Sequence, residues 1–161
     1  MNAVPLLARK SLEEINREVA KYPAGQQASA VMAALRIAQE EHGWLTVAVM
    51  DHIAGLLGMR PIQVYEVASF YSMYDLKPVG RHKIAVCTNI SCMLCGSDQV
   101  VRHLEQKLGV AIGGTTADGR FTLREVECLA ACGGAPAFQI GKRYYENLTP
   151  EKIDQILAEL D

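Results

Sequence analysis

Lys83-Ile84-Ala85-Val86-Cys87-Thr88-Asn89-Ile90-Ser91-Cys92-Met93-Leu94-Cys95-Gly96-Ser97 is the stretch on which the fold turns. Lys83 to Cys87 reads as a strand, and from Ser97 to Leu108 the period becomes helical, with Val100, Val101, Leu104 and Leu108 inward and Gly109 just past the end. Three cysteines therefore lie between the end of a strand and the start of a helix. Cys92 is expected in the connecting loop. Downstream, Phe121 to Glu127 alternates as a second strand and runs into Cys128-Leu129-Ala130-Ala131-Cys132. Ala137 to Ile140 and Arg143 to Glu146 form a hairpin around Gly141-Lys142. Thr149-Pro150-Glu151 then opens a last helix with Ile153, Ile156, Leu157 and Leu160 apolar.

The order β-α-β-β-β-α, with a crossover followed by a hairpin and a helix, is compatible with a thioredoxin-like sandwich. Upstream the chain reads as all helix. Ser11-Leu12-Glu13-Glu14 is a capping-box pattern, because a Ser hydroxyl and a Glu three positions on can satisfy each other's orphan donors; it predicts a helix to about Lys21. After Tyr22-Pro23-Ala24-Gly25, Gln26 to Glu41 carries Val31, Ala34, Leu35 and Ala38 at helical spacing, and His42-Gly43 stops it. Thr46 caps a third helix striped with Val47, Met50, Ile53, Ala54 and Leu57 that ends near Gly58. Pro61 suits the first turn of a fourth, which runs to about Tyr71. This last one is apolar on more than one face (Ile62, Val64, Tyr65, Val67, Ala68, Phe70, Tyr71) and needs covering from two sides. Lys77-Pro78-Val79-Gly80 breaks the pattern, so the expected class is α+β: a helical bundle over residues 1–78 and a thioredoxin-like domain over 79–161.

At 161 residues, 50% apolar and with a formal net charge of −2, the chain can bury a core without staples and offers no electrostatic case for nucleic acid. No apolar run reaches the roughly 18 residues of a membrane span, and MNAVPLLARK lacks the basic and apolar regions of an export leader. A soluble protein without direct membrane insertion is expected. Five cysteines in such a chain argue for metal or redox use over a disulfide framework.

Four of the five form two pairs, Cys87-x4-Cys92 and Cys128-x3-Cys132. A [2Fe-2S] cluster takes four thiolates, two per iron, from backbone that curls round the inorganic core, and two short spacings at strand ends supply that curl. Ala130, Ala131, Gly133, Gly134 and Ala135 let the second loop approach closely and offer amide donors. Buried structural cysteines and a zinc site are the alternatives, although zinc pairs are usually Cys-x2-Cys. The fifth cysteine adds a rival, since Cys92-Met93-Leu94-Cys95 sits where a thioredoxin-type dithiol would, ahead of a helix N-terminus that would lower a thiol pKa. That rival lacks the usual flanking aromatic and Gly-Pro and leaves Cys87, Cys128 and Cys132 unexplained; otherwise Cys95 is a spare thiol packing at the start of the helix. His42, His52, His82 and His103 show no ligand spacing. No strand-Gly-x-Gly-x-x-Gly-helix context surrounds Gly113-Gly114 or Gly133-Gly134, so a dinucleotide is not expected on this chain.

Val86-Cys87-Thr88, Cys92-Met93-Leu94, Gly96-Ser97, Gly119 to Leu123, Val126-Glu127-Cys128-Leu129, Ala131-Cys132 and Ala135-Pro136 together resemble one known family. It is the thioredoxin-like [2Fe-2S] subunit of the NADH dehydrogenase module of respiratory complex I. Val64 to Met73 and His42-Gly43-Trp44-Leu45 resemble that family's helical part, and the likeness runs from about Ile15 to Leu160. It implies a [2Fe-2S] cluster held by Cys87, Cys92, Cys128 and Cys132, with Cys95 a non-ligand and no catalytic residue or substrate site on this chain. It also implies a larger flavoprotein partner carrying FMN and NADH, single-electron exchange with that flavin, and a peripheral place on the cytoplasmic face of the cell membrane (the matrix side in a mitochondrion). The fourth helix and the N-terminal segment are candidate partner-facing surfaces. Relatives also serve as diaphorase subunits of NAD-linked hydrogenases and formate dehydrogenases. Two departures stand out: Ala130 occupies a position that is often Gly, and Cys95 one that is commonly larger or polar.

Overall fold

A computed structural model of the chain describes residues 6–160, which fold into two compact units that meet between Pro78 and Val79 in sequence. The first is helical: α1 Arg9–Val19, α2 Val31–His42 entered through a 3-10 turn over Gln27–Ala30, α3 Val47–Leu57 and α4 Pro61–Phe70. Leu7, Ile15, Leu35, Leu45, Ile53 and Val64 are its largest fully buried side chains among the described residues. The strap after α4 is tied back to α2, where Gln39 donates to the Met73 carbonyl at 2.9 Å and accepts from the Asp75 N–H at 2.6 Å. Tyr74 adds a hydroxyl donated to the Met32 carbonyl at 2.8 Å.

Local chemistry explains most of the helix ends. Thr46 Oγ1 accepts from the Val49 N–H, and α2 and α3 stop at Gly43 and Gly58, both left-handed. The capping box at Ser11 does not form. α1 starts three residues earlier, after Ala8, whose N–H donates to Glu41 Oε1 at 2.9 Å; the Ser11 hydroxyl also serves Glu41 and holds its carboxyl below the usual range. A carboxylate from α2 has replaced the local partner. Val47, placed on the buried stripe of α3, is 63% exposed, because the first helical residue projects past the packed face.

In the second unit four strands, β1 His82–Cys87, β2 Phe121–Val126, β3 Phe138–Ile140 and β4 Arg143–Tyr145, form one sheet in the order β2-β1-β3-β4. β1 and β2 are parallel with Cys87 opposite Val126; β3 and β4 complete the sheet antiparallel. The connection from β1 to β2 carries α5 Ile90–Leu94 and α6 Ser97–Leu108, and α7 Pro150–Glu159 closes the chain. Ile84, Val86, Leu104, Leu123, Phe138 and Ile153 make the core against which α6 and α7 pack. Asp154 joins the two helices, with His103 Nε2 at 2.8 Å and Lys107 Nζ at 3.1 Å, and these donors hold its carboxyl below the usual range. Among the described residues no helix is long and apolar enough to cross a membrane.

Gly80 marks the entry to this unit. Its N–H donates to the buried Thr122 Oγ1 at 2.6 Å, and a Cβ there would lie 2.7 Å from the Phe121 carbonyl carbon, in backbone that has no rotamer to give. Gly80→Ala is expected to cost the unit about 1–3 kcal/mol, as overpacking does. Denaturant unfolding followed by far-UV circular dichroism would measure it, and an unchanged midpoint would show that the edge yields freely.

Candidate metal centre

The parallel pairing continues past the ends of the two central strands. The Thr88 N–H donates to the Val126 carbonyl and the Asn89 N–H to the Glu127 carbonyl, both at 3.1 Å, so the loops after β1 and β2 leave side by side. Asn89 then turns the first loop into a helix, its Oδ1 accepting from the Ile90 N–H at 2.8 Å. Cys92 consequently lies inside α5 and not in an open loop; the N-cap role of Asn89 is the signal that could have revealed it. Cys87 and Cys92 are buried, at 4% and 2% exposed, whereas Cys128 and Cys132 on the second loop are exposed.

Sulfur chemistry differs between the buried thiols. Burial works against ionising Cys87, but the Leu129 and Asn89 amides and the Cys92 thiol together bring its pKa below the usual value. Cys92 is pushed up to about 11, first by burial and then by its hydrogen bond to Cys87, with the charges of Cys87 and Cys132 adding to the effect. Leu129 belongs to the second loop and Cys132 closes it, so both loops act on one pair of sulfurs. Among the described residues no three His, Cys, Asp or Glu side chains close on a single metal-ion position.

The second loop makes its turn at some conformational cost. Ala130 is left-handed at φ +56°, and its N–H donates to Cys128 Sγ at 3.3 Å. A 3-10 turn over Cys132–Gly134 follows, and then a cis peptide between Ala135 and Pro136. Gly134 is set by close approach: a Cβ there would sit 2.5 Å from Glu146 Cβ, while its carbonyl accepts from the Asn147 N–H at 2.6 Å. Four thiols on two adjoining loops, with backbone amides turned onto the sulfurs and only alanine and glycine beside Cys132 from Ala130 to Ala135, suit a [2Fe-2S] cluster.

Cys95 is exposed at the C-terminal end of α5, with its N–H on the Ser91 carbonyl at 3.1 Å, and does not pack at the start of α6 as expected. The dithiol rival fails at Cys92, which is buried with a raised pKa, the reverse of an activated attacking thiol. Three histidines have structural partners: His42 Nε2 lies 2.7 Å from the Leu6 carbonyl, His82 packs on the Phe121 ring, and His103 holds Asp154.

Residues 15–161 match the model of the thioredoxin-like [2Fe-2S] ferredoxin family. The chain belongs to that family. It is 47% identical over 145 residues to the NADH-quinone oxidoreductase E subunit 2 of Rhizobium meliloti, covering 90% of this chain and 85% of that protein. The corresponding NADH-quinone oxidoreductase protein of Rickettsia conorii is 44% identical over 94% of this chain and 92% of its own length. A chain of an NAD+-reducing [NiFe]-hydrogenase in the air-oxidized state superposes on 80% of this chain and 22% of that chain with a TM-score of 0.71, at 23% identity, a likeness of fold. The α+β reading and the family implied by the sequence motifs both hold, and with them a place among the E subunits of NADH-quinone oxidoreductase, electron-transfer proteins with a [2Fe-2S] cluster.

Ala130 holds a left-handed backbone at φ +56°, a conformation that favours glycine. Glycine there removes a Cβ clash of about 1 kcal/mol. Ala130→Gly is expected to raise the unfolding free energy of the metal-free protein by up to about that amount, measured by urea titration; a decrease would mean that alanine suits this turn.

Proposed function

We propose that Cys87, Cys92, Cys128 and Cys132 are the ligands of the family's cluster, and that the chain exchanges single electrons with the FMN of a larger, NADH-binding flavoprotein subunit. The pairing of Thr88 and Asn89 with Val126 and Glu127 carries this reading, because it sets the two cysteine loops against each other. When bound, the cluster supplies a one-electron carrier. This chain's part is to present four thiolates, to shelter Cys87 and Cys92 from water, and to turn amide donors onto sulfur. Burial and the bond to Cys87 favour the protonated form of Cys92, so loading has to expel that proton. Cys95 stays outside the ligand set.

Relatives that are 40–47% identical favour the quinone-reducing complex over a hydrogenase or formate dehydrogenase diaphorase. In that complex the chain would sit peripherally on the cytoplasmic face of the membrane, or on the matrix side in a mitochondrion. Two surfaces suit a partner. Ile90, Met93 and Leu94 are 66%, 51% and 78% exposed around Cys92, where an electron would arrive or leave. On α4 only Val64 and Ala68 are buried, and Ile62, Tyr65 and Phe70 stand in the open. The N-terminal segment falls partly outside the described residues; within it Leu6 is exposed and Leu7 is buried.

Iron and acid-labile sulfide assays on anaerobically purified protein test the ligand set. About two of each per chain are expected, with an S = 1/2 signal after dithionite. Cys92→Ser should lose most of the iron and Cys95→Ser nearly none; an iron-free protein with a reducible Cys92–Cys95 disulfide would overturn the reading. Co-purification with the flavoprotein tests the surfaces. Leu94→Asp and Phe70→Asp should each weaken capture on the order of tenfold, the loss typical of one buried apolar anchor, with iron content unchanged.

A further inference from the structure

Glu127 touches both cysteine loops. Its carbonyl oxygen lies 3.2 Å from Cys87 Sγ and accepts the Asn89 N–H at 3.1 Å, and its residue directly precedes Cys128. The carboxylate is not left to wander, because Asn89 Nδ2 donates to Glu127 Oε2 at 3.3 Å while the same side chain caps α5. One asparagine thus orders the first loop and fixes a negative charge at the root of the second. Glu127 therefore touches the Cys87 sulfur through its backbone and is bonded in sequence to Cys128.

We infer that the Glu127 carboxylate, held in place by Asn89, lowers the reduction potential of the cluster bound at Cys87, Cys92, Cys128 and Cys132. The inference rests on the ligand set proposed above. Reduction adds one electron to the site, supplied by dithionite in a titration, with no bond made or broken. A fixed negative charge on the residue that joins the two loops opposes that addition, because like charges repel more strongly in the low-dielectric surroundings of the buried Cys87 and Cys92. Glu127 is exposed, so the effect is one that salt can screen. Asn89 acts through Glu127 and is a positioning residue.

The test is an EPR-monitored redox titration of the iron-loaded full chain, wild type against Glu127→Gln, Asn89→Ser and Glu159→Gln. Glutamine keeps the acceptor for Asn89 and removes the charge. Serine preserves an N-cap but is too short to reach the carboxylate. Glu159 ends α7, whose next residue, Leu160, accepts from Arg120 at the end of β2 away from the cysteines. The expected result is an upward shift in midpoint for Glu127→Gln, a smaller upward shift for Asn89→Ser and none for Glu159→Gln. Iron content and g values should stay unchanged, and the gap between wild type and Glu127→Gln should narrow toward about 1 M salt, where the screening length falls to about 3 Å. Equal midpoints in wild type and Glu127→Gln overturn the inference, as does a salt-independent gap. Loss of iron in Glu127→Gln with an unshifted midpoint in Asn89→Ser overturns it as well, by making Glu127 structural. Failure of the ligand set looks different: wild type without iron, or Cys128→Ser with an undisturbed cluster signal.

Discussion

Because β1 and β2 run parallel, their chains leave the sheet at one edge and in one direction, and every feature of the cysteine site follows from that constraint. An antiparallel pairing of the same strands would send the two loops to opposite edges. The register matters as much as the direction. Cys87 stands opposite Val126, and the hydrogen bonds from Thr88 and Asn89 extend the pairing beyond the strands, so Cys87 comes to lie against the backbone that leads into Cys128. The core enforces the register: Ile84 and Val86 on β1 and Leu123 on β2 are almost fully buried, and a slip of one residue would turn them out of it.

Within that frame the two loops solve different problems. The first buries Cys87 and Cys92, which keeps water from those sulfurs but makes ionising Cys92 costly. The second leaves Cys128 and Cys132 exposed and uses backbone in place of side chains: a left-handed Ala130 whose N–H reaches Cys128, and a Gly134 that yields to Glu146. Amides are the economical donors here, since they neutralise part of a thiolate charge without adding a formal one and come with every residue of a tight turn.

What the sequence made legible was whatever depends on neighbours in the chain. The strands, the helix from Ser97 to Leu108, the glycine stops at Gly43, Gly58 and Gly109, and the cap at Thr46 are local decisions written within a few residues. The spacing of Cys87, Cys92, Cys128 and Cys132 pointed to the site for the same reason. Misreadings arose where a distant group intervened. Ser11 looked like a cap until Glu41, thirty positions away, took both its hydroxyl and the Ala8 N–H. Cys92 looked like a loop residue because a helix of five residues has no room to show a period. The Asn89–Glu127 contact joins residues 38 apart, and no spacing rule reaches that far. Ala130 is the reverse case, a local conformation that its residue type disfavours, tolerated because the surrounding loop and its bond to Cys128 hold it there.

The apolar residues left in the open follow the same logic of neighbours. α4 carries more apolar surface than one buried stripe needs, and the helical unit buries only Val64 and Ala68 of it fully, with Val67 partly covered against the same core. α5 is too short to bury anything beyond Cys92, and it leaves Ile90, Met93 and Leu94 outward beside that thiol. A carrier that met its partner only in passing would gain little from such patches and would risk aggregation. A subunit held permanently in a complex can remove such patches from water on assembly. Were the apolar rim at α5 covered in that way, water would be excluded from around Cys92 and the local dielectric lowered, so a fixed charge such as that of Glu127 would act with less screening than in the isolated chain.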